Sequence, residues 1–63
     1  MNELKIRLKK EQLELGEKIR EIKDFMVSDK SDEIRDVQKA LLKLQLSAMD
    51  TYLRCLEERI KRM

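Results

Sequence analysis

The side chains best suited to chemistry in this sequence are cations gathered near its two ends. They are Lys5, Arg7, Lys9, Lys10, Arg59, Lys61 and Arg62. Cations late in a helix complement the backbone dipole, whereas cations in the first turns oppose it. The N-terminal group therefore runs against local preference, and an anionic ligand or an acidic partner would explain it. The alternative is a solvated basic surface that Glu11, Glu57 and Glu58 partly balance.

The sequence offers little for catalysis. It contains no histidine, so the usual general base and transition-metal ligand are missing. Cys55 is the single cysteine and lies among apolar residues, where a buried structural thiol is expected. Carboxylates such as Glu14 alternate with lysines such as Lys18 at helical spacing, which is typical of a solvated face. We therefore expect no enzymatic activity, no cofactor and no metal site.

Two helices must position the cations. Apolar residues from Leu4 to Met26 recur at helical spacing and form one stripe of an amphipathic helix. The segment "SDKSD" interrupts this pattern, because serine and aspartate bond the neighbouring backbone and favour turns. The pattern predicts a helix over about 3–28, a turn over about 28–35 and a helix over about 36–62.

A turn this short favours an antiparallel hairpin, so we predict one all-α domain over residues 1–63. Ser31 or Asp36 would cap the second helix. Gly16 lowers the stability of the first helix, and marks either a close approach of the two helices or a tolerated glycine. In a hairpin the two ends of the chain meet. The cations then best placed to bind an anion are Arg7, Lys10, Arg59 and Arg62.

The second helix carries two apolar rows about a third of a turn apart. The first, the Val37 row, comprises Ile34, Val37, Leu41, Leu44, Ala48, Tyr52 and Cys55. The second, the Leu42 row, comprises Leu42, Leu46, Met49, Leu53, Leu56, Ile60 and Met63. Both have the spacing of coiled-coil seams. The first helix can cover one row, and the pattern does not decide which.

Leaving the other row in water would forfeit about 1.5–3 kcal/mol for each large side chain. We therefore predict a homo-oligomeric helical bundle, with a dimer first and a tetramer or hexamer next. The alternative is a wide groove in which the first helix straddles both rows. The residues expected at the interface between copies are Ile6, Leu13, Leu42, Leu46, Met49, Leu53, Leu56 and Ile60.

The amino-acid composition argues against a membrane or a nucleic acid as a partner of this protein. No stretch approaches the ~20 apolar residues of a membrane span, so we expect a cytoplasmic protein without membrane contact. A net charge of +2 and two aromatic residues, Phe25 and Tyr52, argue against nucleic acid as a partner. Tyr52 is expected to pack its ring against apolar neighbours while its hydroxyl finds a hydrogen-bond partner.

The second helix reads "LLKLQLSAMDTYLRCLEERI". It resembles a motif of small tailed-phage helical-hairpin proteins, including relatives of a crAss-like phage protein. The matching residues are Leu41, Leu42, Gln45, Leu46, Met49, Tyr52, Leu53, Leu56, Arg59 and Ile60. The first half, ending in "DFMVSDKSDE", is similar in style. This resemblance implies an accessory phage protein, active in the host cytoplasm.

Small oligomeric phage proteins of this kind often counteract host defence. Their architecture is similar to that of sponges that capture cyclic-nucleotide signals between helical subunits, an analogy of fold alone. We therefore expect a binding module that sequesters a nucleotide signal or masks a host defence protein. A structural scaffold or adaptor is the first alternative. A small DNA-binding transcription regulator is the second, and it requires salt-dependent DNA binding.

Overall fold

The computed structural model describes residues 3–63, which form two α-helices joined by a short 3-10 helix. Helix α1 spans Glu3–Met26, the 3-10 helix spans Asp29–Glu33 and helix α2 spans Asp36–Lys61. Helix α1 ends two residues before the expected end, and α2 ends one residue early. No strand occurs between residues 3 and 63.

The two helices run antiparallel. Met26, at the end of α1, lines a common cleft with Leu42 near the start of α2. Glu11, in the first half of α1, is hydrogen-bonded to Tyr52 in the second half of α2. Early residues of α1 therefore lie beside late residues of α2, and late residues of α1 lie beside early residues of α2. The chain is an all-helical hairpin. Its assembly into a bundle of several copies stays a prediction.

Two serine side chains shape the turn. The Ser28 hydroxyl donates to the Phe25 carbonyl at 2.7 Å, and the Ser31 hydroxyl donates to the Ser28 carbonyl at 2.9 Å. The expected caps of α2 were wrong. Its N-cap is Arg35, which makes no side-chain capping bond. Ser31 is already engaged with Ser28, and Asp36 is the first helical residue, where its carboxylate complements the helix dipole.

The Leu42 row faces α1. Leu56 has no exposed surface, and in α1 only Leu8 and Ile19 are similarly buried. The rest of this row up to Ile60 is half-buried, whereas large residues of the Val37 row are exposed. Six residues expected between copies thus belong to the contact within the chain, namely Leu42, Leu46, Met49, Leu53, Leu56 and Ile60. The other two, Ile6 and Leu13, are exposed.

The hairpin has very little interior. Three apolar side chains are buried among residues 3–63, and the molecule measures 47 × 16 × 13 Å. Its radius of gyration is 14.5 Å, compared with roughly 11 Å for a compact chain of this length. The described chain is therefore a rod one helix pair thick, and nearly every side chain on it touches solvent.

Gly16 does not allow a close approach of α2 within the chain. A methyl group built on its α-carbon would meet no atom within 4 Å apart from the adjoining residues and backbone of its own helix. The first interpretation of this glycine, a close contact between the two helices, is therefore wrong for the single hairpin. Within the hairpin, Gly16 lowers the intrinsic helix propensity of α1 and no packing contact offsets that cost.

Candidate functional site

The candidate site is the open end of the hairpin, formed by residues 3–10 of α1 and 57–63 of the C-terminal segment. The antiparallel arrangement brings the two basic clusters to this end. Arg7, Lys10, Arg59 and Arg62 are all exposed there. The opposite end carries the turn, where acidic residues predominate. The rod is therefore electrostatically polarised along its length, which favours contact of the open end with anions.

A hydrogen bond between the helices anchors one flank of this site. The Tyr52 hydroxyl of α2 donates to the carboxylate of Glu11 in α1. Arg7 lies about one helical turn beyond Glu11, and Arg59 lies about two turns beyond Tyr52, both towards the open end. Arg7 and Arg59 therefore follow the same flank, and two guanidinium groups become available on one side of the hairpin.

The other two candidate cations, Lys10 and Arg62, lie one helical turn from Arg7 and Arg59. Lys10 is three residues after Arg7, about 60° away around α1, so the two side chains are neighbours on the helix surface. The Arg62 guanidinium forms an ion pair with Glu58, with Nε 3.5 Å from the carboxylate oxygen. Such an exposed pair within one helix is weak. The structure thus brings Arg7 and Arg59 to one flank, with Lys10 and Arg62 one helical turn away on the same two helices.

Glu11 and Arg59 act on Tyr52 in opposite directions. The hydrogen bond to Glu11, followed by partial desolvation and by the carboxylate charge, raises the pKa of Tyr52 above its ordinary value, while Arg59 opposes this rise. The stability that this bond contributes is complete below the unfolded pKa of about 10. It is lost as pH rises through the higher folded pKa.

Ultraviolet titration of Tyr52 tests this arrangement directly, because the chain has one tyrosine and no tryptophan. We expect Glu11→Gln to lower the pKa of Tyr52, since the hydrogen bond from the phenol to the carboxylate is lost and the phenolate no longer faces a negative charge. Arg59→Gln should raise the pKa further. Glu14→Gln, which alters a neighbouring carboxylate, serves as the matched control. Equal midpoints in the Glu11 and Glu14 variants would contradict the contact between helices.

The hydroxyl of Tyr52 was expected to find a partner, but Glu11 was not foreseen as that partner. The sequence does not fix how far α1 and α2 slide along each other, so residues 41 positions apart could not be paired in advance. The expected packing of the ring is only partly realised, because Tyr52 keeps 45% of its surface exposed.

The described surface has shallow clefts that do not include the four candidate cations. One of about 340 Å³ runs beside Gly16 and Arg20, and one of about 270 Å³ runs beside Tyr52 and Lys18. A third, of about 290 Å³, lies at the turn. These three clefts therefore do not form part of the candidate site at the open end.

The described part of the chain has few other side chains that could bind a metal or react. Between residues 3 and 63, no group of three or more histidine, cysteine or acidic side chains could hold a metal ion. Cys55 is exposed, so the expected burial of this thiol is wrong for a single hairpin. The reason is that α1 covers the Leu42 row and leaves the row with Cys55 in solvent. None of the helices in this range is both long and apolar enough to cross a membrane.

Comparison with known proteins places the chain in a family. The family model described as Sequestin matches residues 2–62. The chain belongs to the Sequestin family. No curated protein and no solved structure matches the chain. The name Sequestin suggests sequestration, which fits the expected small phage-type binding protein at this coarse level. Kinship with the crAss-like phage protein and a role against host defence stay predictions for this Sequestin.

Proposed function

We propose that this chain is a non-enzymatic phage accessory protein that assembles into a homo-oligomer and sequesters a negatively charged nucleotide signal of host defence. The observation that carries the proposal is the collection of exposed cations at the open end, with Arg7 and Arg59 on one flank. Membership in the Sequestin family supports sequestration as the mode of action. Capture of the signal would keep it from its receptor in the host.

The side chains at the open end suit a nucleotide. A guanidinium group binds phosphate through two parallel hydrogen bonds, so Arg7 and Arg59 supply two such forks on each hairpin. The partly exposed ring of Tyr52 lies on the same flank and offers a face on which a base can stack. A cyclic di- or trinucleotide carries several phosphates, and the two arginines together can bind more than one of them.

Thermal shift measurements test the proposal. The protein is incubated separately with cyclic dinucleotides, cyclic trinucleotides, a linear mononucleotide and inorganic phosphate. A ligand that binds only the folded protein at 100 times its Kd stabilises it by about 2.7 kcal/mol. We expect a rise in Tm with at least one cyclic nucleotide that phosphate and the mononucleotide do not reproduce. The rise should shrink as the salt concentration increases.

The double variant Arg7→Gln with Arg59→Gln should lose most of this binding. A hydrogen bond to a charged group contributes about 1.5–3 kcal/mol, so loss of both arginines should weaken binding by roughly 100-fold or more. Arg20→Gln removes an exposed arginine further along α1 and is the matched control. If the double variant still binds the nucleotide, the open end is not the binding site. No response to any nucleotide would favour masking of a host protein.

A scaffold or adaptor function is the second candidate, and the exposed apolar row favours it. Val37 and Leu44 keep 67% and 68% of their surface exposed on one face of α2. As a scaffold or adaptor, the protein would only associate with itself and bind an acidic or helical partner. Arg7→Glu with Arg62→Glu should then leave suppression of host defence intact, whereas it should abolish suppression by a nucleotide sponge.

A further inference from the structure

The exposed face of α2 has a regular composition along its length. The Val37 row continues beyond Cys55 at the same spacing, four residues to Arg59 and three more to Arg62. We call this face the exposed strip, and it comprises Val37, Leu41, Leu44, Ala48, Tyr52, Cys55, Arg59 and Arg62. All eight residues are exposed in the hairpin. The strip is therefore apolar from the turn to about three quarters of α2 and cationic at the open end.

We propose that the exposed strip docks against the same strip of a second copy, with the two α2 helices antiparallel and the two-fold axis between Leu44 and Ala48. This inference rests on the self-association included in the proposed function, but not on the ligand. The occupant is a second copy because the strip complements itself in charge and in side-chain size. Both arguments depend on the antiparallel direction.

Charge excludes the parallel direction. In a parallel pair each residue faces its own counterpart, so Arg59 would face Arg59 of the partner subunit, and Arg62 would likewise meet its counterpart. The antiparallel pair instead brings the arginine end of one copy to the turn of the other. Residues 29–36 contain four acidic and two basic side chains, a net charge of −2. The dipoles of the two helices also oppose each other in this direction.

Side-chain size fixes the register. With the axis between Leu44 and Ala48, Leu44 faces the partner's Ala48 and Val37 faces the partner's Cys55. Leu41 faces the partner's segment 51–52, which carries Tyr52. Each contact thus pairs a larger side chain with a smaller one or an aliphatic chain with a ring, which lets the two surfaces interdigitate. A slide by about one helical turn would place Leu44 against Leu44 in one direction and Ala48 against Ala48 in the other, which loses the pairing of larger with smaller side chains.

This docking changes the composition of the candidate site. Arg59 and Arg62 of each copy come beside the turn of the other copy, where acidic side chains reduce their net field. Lys10 lies outside the strip on α1, so it keeps its exposure in the dimer. Each open end then consists of cations from one copy beside turn residues of the other, and Arg7 and Lys10 on α1 remain outside this contact.

Disulfide trapping tests the register with the native thiol. The variant Val37→Cys carries two cysteines that the proposed dimer places opposite each other across both equivalent contacts. Mild oxidation should therefore convert this variant to a covalent dimer on a non-reducing gel. In the wild type, the two Cys55 residues would lie roughly 27 Å apart at 1.5 Å per residue. That separation exceeds the Cα distance of about 7 Å that a disulfide can span.

Two control variants complete the experiment. Val37→Cys with Cys55→Ser should stay unlinked, because its cysteines are as far apart as those of the wild type. Val27→Cys, which adds an exposed thiol away from the strip, should also stay unlinked. Rapid linkage of the wild type through Cys55 would overturn the antiparallel direction. A monomeric mass by light scattering, or a dimer in which Val37→Cys never links, would overturn the proposed contact. Nucleotide binding is measured separately. If no nucleotide binds, the results of the disulfide linkage and the light scattering still test the dimer.

Discussion

Replacement of Leu56 by alanine is expected to lower the free energy of unfolding by about 2–5 kcal/mol. Leu56 is the one fully covered large side chain among residues 3–63, and it packs between the two helices. A chain of 63 residues has a total stability of roughly 3–9 kcal/mol. With only Leu8 and Ile19 similarly buried, the hairpin has no other interior that could compensate, so this variant should be largely unfolded at moderate temperature.

Urea denaturation followed by circular dichroism measures the effect. Leu13→Ala deletes the same atoms from a side chain that is 70% exposed, and it should change stability little. The measurement is made at several protein concentrations, because self-association stabilises the folded state by mass action. Similar losses in the two variants would contradict the assignment of the Leu42 row to the contact with α1.

Leu44→Asp is expected to dissociate the oligomer while each hairpin remains helical. Leu44 is on the outer face of α2, so the hairpin itself does not depend on it. In a two-fold dimer the substitution occurs twice, and each leucine contributes about 1.5–3 kcal/mol of burial. The combined loss of about 3–6 kcal/mol should raise the dimer Kd roughly 100- to 10,000-fold. The buried aspartates would weaken association further.

Sedimentation equilibrium over a range of concentrations gives the dissociation constant, and circular dichroism reports the helix content. Val27→Asp is the matched control, since Val27 is 86% exposed and lies outside the strip. This control should keep the mass of the wild type. A Leu44→Asp variant that also keeps that mass would show that copies associate through another surface, if they associate at all.

The helices themselves could be predicted from the sequence because their signals are local. The stripe from Leu4 to Met26 and the interruption at residues 28–32 are properties of neighbouring residues. Which row of α2 packs against α1 was harder to predict, because both rows have coiled-coil spacing. One signal was available, however. The Val37 row continues to Arg59 and Arg62, and burial of those guanidinium groups in a two-helix core would be costly.

The details of the site depend on how the helices pair, which the sequence does not determine. That the basic clusters meet at one end follows from any antiparallel hairpin. The contact of Tyr52 with Glu11, and hence the shared flank of Arg7 and Arg59, depends on the axial position of α1 along α2. The N-cap at Arg35 was missed for another reason, because the Ser31 hydroxyl donates to the Ser28 carbonyl within the turn and is not available to cap α2.

The slender shape of the hairpin affects how its mass can be measured. A rod of 47 × 16 × 13 Å diffuses more slowly than a sphere of equal mass, because friction increases with axial ratio. Gel filtration calibrated with spherical standards would therefore assign a single hairpin too large a size and could count a monomer as a dimer. Light scattering and sedimentation equilibrium do not depend on hydrodynamic shape, so they are the suitable measurements for this molecule.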